Sequence, residues 1–113
     1  MLEVHSIRFD RQEVIAAVLE HHASKIAPIP ADDAVSIDYR IDQNGKVTAH
    51  LNIMRDPRTQ DALIFDSVDL TVALVKYCMT RGVPIKKASD KWVGLVDSGL
   101  ALFVVSSPST PRP

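Results

Sequence analysis

Polar and apolar residues alternate along two stretches of this chain at strand spacing and recur along two others at helix spacing, and the order of those stretches outlines a fold. Val35, Ile37, Tyr39 and Ile41 alternate with Ser36, Asp38, Arg40 and Asp42, and Val47, Ala49, Leu51 and Ile53 alternate with Thr48, His50 and Asn52. This is the period-two pattern of strands with one dry face and one wet face. A two-residue Asn44-Gly45 turn would set Ile41 against Thr48 and mix the faces. A three-residue loop, Gln43-Asn44-Gly45 with Gly45 left-handed, instead pairs Ile41 with Val47, Tyr39 with Ala49 and Ile37 with Leu51. It also places Asp42 opposite Lys46.

A second hairpin is predicted from Lys91 to Val96 and Leu100 to Val105 around Asp97-Ser98-Gly99. It differs in one respect: the returning strand, Leu100 to Val105, is apolar on both faces. Such strands are covered on both sides or lie in an interface. Trp92, Phe103 and Val105 are therefore the expected oligomer interface.

Two helices are predicted, from about Asp10 to Ser24 and from about Asp66 to Arg81, and their surroundings match. Ile7 to Ile29 aligns with Leu63 to Ile85 without a gap at a constant offset of 56 positions, with Phe9/Phe65, Asp10/Asp66, Ala17/Ala73, Pro28/Pro84 and Ile29/Ile85 identical. The shared residues form a physical unit. Asp10 or Asp66 serves as N-cap with an acid three residues on, at Glu13 or Asp69. Phe9 with Val14, and Phe65 with Leu70, have the spacing of a hydrophobic staple. Val14, Ala17, Val18 and His21 lie on one stripe, and Leu70, Ala73, Leu74 and Tyr77 on the other. Lys25 or Arg81 and then a proline end each helix, with Gly82 suited to the left-handed C-terminal position.

Short strands before each helix, Glu3 to Phe9 and Ala62 to Phe65, complete the order β-α-β-β-β-α-β-β. The expectation is one α+β domain over residues 1–105, made of duplicated β-α-β-β halves (2–54 and 62–105). A single antiparallel sheet would carry two helices packed on one face, with Arg55 to Gln60 as a polar connector. Residues 106–113 read as a disordered tail with three prolines. The order resembles that of effector-binding domains, which hold small ligands in a groove between two like halves. That resemblance covers element order only and implies a ligand groove between the halves.

Composition narrows function more than it defines it. The 113 residues are 46% hydrophobic, enough for one core, and carry 13 basic and 14 acidic side chains, so no net field recruits nucleic acid or an anionic membrane. The single Cys78 has no intramolecular disulfide partner. Neither a leader-like apolar run nor a membrane-length segment is legible, so a cytoplasmic location is expected, with no membrane partner.

The four glycines are scattered and form no phosphate-cradling loop. His21 and His22 point about 100 degrees apart on a helix and cannot both aim at one ion, and no metal-binding spacing surrounds them. In the repeat they match Tyr77 and Cys78, which favours packing. These four residues are the candidate ligand-binding set at the pseudo-twofold. Cys78 lacks a nucleophile motif, and Asp32 and Asp33 read as solvated loop acids rather than catalytic carboxylates. Lys86, Lys87 and Lys91, followed by Trp92, form the best nucleic-acid candidate, because lysines track phosphate and an aromatic stacks a base. Asp90 and the low aromatic content weigh against it.

The readings therefore rank as a non-catalytic structural or regulatory protein that self-associates through the second hairpin, then a small-ligand module, then a weak nucleic-acid binder, and last an enzyme. No cofactor and no metal is expected.

Overall fold

The computed structural model describes residues 3–22, 35–86, 89–97 and 99–106. Eight elements follow in the order β1 (Glu3–Phe9), α1 (Arg11–His21), β2 (Val35–Ile41), β3 (Val47–Asp56), β4 (Thr59–Phe65), α2 (Ser67–Thr80), β5 (Asp90–Val96) and β6 (Gly99–Ser106). The fold is α+β, with two antiparallel three-stranded sheets and two helices.

Both helices start where the sequence places their caps. The Asp10 carboxylate accepts the Glu13 backbone N–H at 2.8 Å, and the Glu13 carboxylate in turn accepts the Asp10 N–H at 3.0 Å, a complete capping box. Asp66 accepts the Asp69 N–H at 2.8 Å. Each cap satisfies an otherwise orphaned donor and contributes about 1 kcal/mol. Phe9, Val14, Phe65 and Leu70 are all buried, so both staples sit in the core.

Helix α2 stops at a Schellman arrangement: Gly82, at φ +76°, donates to the Met79 carbonyl and Val83 donates to that of Cys78. Helix α1 ends at His21, earlier than the predicted Ser24. Lys25, Pro28, Asp32 and Asp33 lie outside the described residues.

Strands β2 and β3 pair in the predicted register, Ile41 with Val47, Tyr39 with Ala49 and Ile37 with Leu51. Gly45 is left-handed at φ +76°, and Asp42 fixes the loop by accepting the Asn44 and Lys46 backbone N–H groups. The Asp42 N–H also donates to the Lys46 carbonyl.

Three expectations need correction. There is no single sheet: β2-β3-β4 forms one and β1-β6-β5 the other. The strand that opens the chain joins the last hairpin, and β4 completes the first hairpin. Residues Arg55 to Gln60 are not a plain connector but the tip of a β3–β4 hairpin, with a bulge between Met54 and Asp56. The Arg55 Nε–Asp61 Oδ2 ion pair, at 2.9 Å, braces that tip. Finally, the register pairs Val96 with Gly99, so Gly99 belongs to β6 rather than to the turn of the second hairpin. Ser98 lies outside the described residues.

One hydrophobic cluster draws on both sheets and both helices. It includes Val14, Ala17 and Val18 of α1, Leu70, Ala73 and Leu74 of α2, Leu51 and Ile53 of β3, and Leu100 and Leu102 of β6. Among the strand residues of this cluster, those with no exposure lie on the central strands β3 and β6, each flanked on both sides, and Val14, Val18, Leu70 and Leu74 of the helices are buried as fully. Ser106 closes β6, and residues 107–113 lie outside the described residues.

Candidate functional site

Side-chain alternation and cross-strand register define the outer face of β1-β6-β5. Across the sheet, Val4, Val105 and Asp90 form one row, Ser6, Phe103 and Trp92 the next, and Arg8, Ala101 and Gly94 the third. The Trp92 and Phe103 rings stack with centroids 5.7 Å apart and planes 16° apart. This pairing is possible because Gly94 has no side chain: a Cβ there would come within 2.9 Å of the Phe103 ring. Ala101 is fully buried on this face, while Trp92 and Val4 remain 45% and 61% exposed.

The corresponding face of β2-β3-β4 has a different chemistry. Its rows are Asp38, His50 and Ile64, then Ser36, Asn52 and Ala62, with Arg40 beside Thr48. Arg40 and Asp38 form an exposed ion pair at 3.6 Å. Thus one sheet presents a hydrated face and the other an aromatic one.

The candidate ligand residues divide. His21 and Tyr77 line a cleft of about 180 Å³ between α1 and α2, with Lys76 Nζ 3.5 Å from His21 Nδ1. Arg81 lies over the Tyr77 ring at 3.5 Å and is ion-paired with Glu20 at 3.0 Å. His22 and Cys78 do not line this cleft. The His22 ring packs edge-on against Phe65 at 4.6 Å, and Cys78 is buried, which pushes its thiol pKa up. A buried thiol of raised pKa carries little thiolate at neutral pH.

The lysines also divide. Lys86 lines a cleft of about 510 Å³ with His5, Ile85 and Val104, and Lys87 lies outside the described residues. Lys91 stands on the inner face of β5 opposite Val104, and its Nζ donates to the Ser89 carbonyl at 2.9 Å. Trp92, the next residue along the strand, points to the other face, so Lys91 and the indole do not share one surface. Among the described residues, no three His, Cys, Asp or Glu side chains converge as metal ligands. No described helix is long and apolar enough to cross a membrane.

Sequence reasoning missed two parts of the aromatic face. The β1 strand joins it from the far end of the chain, bringing Val4, Ser6 and Arg8 alongside β6. Gly94 seats Phe103, a role visible in sequence only as a glycine two residues beyond Trp92 in a strand.

One buried titratable group stands apart from these surfaces. Tyr39, on the inner face of β2, has a buried hydroxyl with no hydrogen-bond partner among the described residues. Burial pushes its pKa up from 10.0 to about 12, a rise only partly opposed by nearby Arg11. The folded protein therefore keeps the phenol protonated after the unfolded chain has begun to ionise. The stability Tyr39 contributes is complete below pH 10 and declines as pH rises towards about 12. Urea midpoints measured across this range are expected to fall more steeply for the wild type than for Tyr39→Phe. Equal slopes would show that Tyr39 is not the group responsible.

No protein-family model, curated protein or solved structure matches the chain. The functional reading rests on its own surfaces.

Proposed function

We propose that this is a non-catalytic structural or regulatory interaction protein that self-associates through its second hairpin. The observation carrying this reading is the Trp92–Phe103 stack, an aromatic pair on the solvent side of β5-β6 with the indole 45% exposed. Aromatic residues are enriched where surfaces meet, because they bury large area at low entropic cost. In the same positions the other sheet has polar groups, so the aromatic face is not a general requirement of the architecture.

We read the two β-α-β-β halves as a duplicated unit, on the gap-free repeat and the matching Asp10 and Asp66 caps. On that reading one half has diverged to hold the interface. A cytoplasmic setting accords with the single buried cysteine. The groove between the helices is the weaker alternative, since its 180 Å³ falls below the roughly 300–1,000 Å³ typical of ligand pockets.

Sedimentation equilibrium and intrinsic fluorescence test the proposal together, since Trp92 is the sole tryptophan. Increasing protein concentration is expected to raise the mass to a multiple of the monomer and shift the emission to the blue. Trp92→Glu should weaken association by about thirtyfold, the ratio equivalent to a hot-spot loss of about 2 kcal/mol. A wild-type chain that stays monomeric at millimolar concentration refutes the proposal.

A further inference from the structure

The cleft between the inner face of β1-β6 and the chain that leaves α2 has the makings of a small-molecule site. After the Gly82 turn, Pro84 and Ile85 line it together with His5, Ile7 and Val104, and it encloses about 510 Å³. That volume lies within the roughly 300–1,000 Å³ of ligand pockets, where the cleft between the helices does not. Val104 is buried, and Ile7 and Ile85 pack against the hydrophobic cluster, so the floor is aliphatic and held in place by the core.

The matching end of the other sheet is filled by an ion pair. Fifty-six positions after His5 stands Asp61, and each faces a buried aliphatic residue of a central strand, His5 opposite Val104 and Asp61 opposite Ile53. Asp61 takes the Arg55 guanidinium at 2.9 Å, and the Arg55 side chain is only 17% exposed. Arg55 lies two residues beyond Ile53, and the residue two beyond Val104 is Ser106. A serine is too short to span the floor, and His5 turns instead to Glu3 at 3.7 Å. Two sequence differences thus leave space on β1-β6 where β3-β4 has a brace.

The exposed member of the lining is a cation. Buried Ser89 donates its N–H and its hydroxyl to the Lys86 carbonyl, at 3.3 and 2.5 Å, which fixes the backbone that carries this lysine. Among the described residues no carboxylate pairs with the Lys86 ammonium.

We propose that this cleft binds a small aliphatic monocarboxylate, with its hydrocarbon on Ile7, Ile85 and Val104 and its carboxylate on the Lys86 ammonium. An aliphatic floor rewards a hydrocarbon tail, methylene by methylene. One cation at the rim matches one anionic head, which keeps part of its hydration there. Inorganic phosphate would leave the floor wet, a neutral tail would leave the ammonium unused, and a cationic head would meet like charge. The site lies apart from the Trp92–Phe103 face, so a monomer and a self-associated form bind alike.

Titration of the full chain with hexanoate and octanoate, followed through its backbone amides by NMR, tests the proposal. The amides of Ile7, Ile85, Lys86 and Val104 are expected to shift saturably. Octanoate should bind about fifteenfold more tightly than hexanoate, since each of its two extra methylenes contributes about 0.8 kcal/mol when buried. Lys86→Gln should weaken octanoate about threefold, the weight of an exposed ion pair, and leave the uncharged analogue octanol unaffected. His5→Asp/Ser106→Arg copies the Arg55–Asp61 brace into the cleft and should abolish binding of octanoate and octanol alike, with a cooperative urea transition verifying that the chain is folded. Wild-type amides that do not shift, shifts that never saturate, shifts centred on Trp92 and Phe103, or a folded double variant that binds octanoate like wild type would each overturn the site. None of these results bears on self-association, which sedimentation decides separately.

Discussion

Truncating Leu102 to alanine is expected to cost about 2–5 kcal/mol, a large part of the roughly 5–15 kcal/mol that holds a domain of this size together. Leu102 has no solvent exposure and sits in the central strand β6, with Ile7 of β1 on one side and Val93 of β5 on the other. Its removal leaves a cavity that two flanking strands cannot both close. Leu51 occupies the comparable place in β3 between Ile37 and Leu63, and Leu51→Ala should cost a similar amount. The informative comparison uses Trp92 fluorescence, which reports on β5, against far-UV circular dichroism during urea unfolding. Because one cluster joins both sheets, Leu51→Ala should lower the midpoint at Trp92 as much as Leu102→Ala does. Probe-dependent midpoints would mean that the two sheets unfold separately.

The same strand explains why the candidate interface is partly legible in the sequence. Leu102 and Phe103 are adjacent apolar residues, and alternation alone sends one inward and one outward. The continuous run Leu100 to Val105 thus implies an apolar outer face as well as an apolar inner one. Local rules also suffice for the first hairpin, where one left-handed glycine and two alternating patterns leave a single register. They suffice again for the helix starts, where a cap is decided by residues three apart.

Partnership between distant strands is not legible. Nothing in Glu3 to Phe9 says that it will lie beside Leu100 to Ser106 rather than beside its own hairpin, because both neighbours offer apolar alternation. The β3–β4 tip is hidden for another reason. Thr59, Gln60 and Asp61 are exposed on an outer strand, so burial imposes no alternation and the segment reads as a loop. The candidate ligand set fails to converge because adjacent residues on a helix diverge: His21 turns to the cleft, while His22 turns to Phe65.

Non-local pairing also sets the most severe backbone constraint among the described glycines, at Gly99. Alanine ordinarily suits a strand better than glycine, so Gly99→Ala would stabilise an unconstrained position. Here a Cβ would land on the Phe9 carbonyl oxygen, far inside contact distance, and the obstructing atom is backbone rather than a side chain able to swing away. Phe9 is the first half of a staple and precedes the Asp10 cap, so displacing its carbonyl disturbs the β1–β6 ladder and the start of α1 together. Overpacking of about 1–3 kcal/mol, added to a cap contribution of about 1 kcal/mol, gives an expected loss of about 2–4 kcal/mol. Gly45→Ala is the matched control. It has a positive φ but nothing within 4 Å, so only the conformational cost of about 1 kcal/mol applies. Urea midpoints should therefore fall in the order wild type, Gly45→Ala, Gly99→Ala, with the amide of Val14 in the first turn of α1 losing hydrogen-exchange protection only in the last. A Gly99→Ala chain as stable as wild type would mean that β1 does not approach β6 this closely at Phe9.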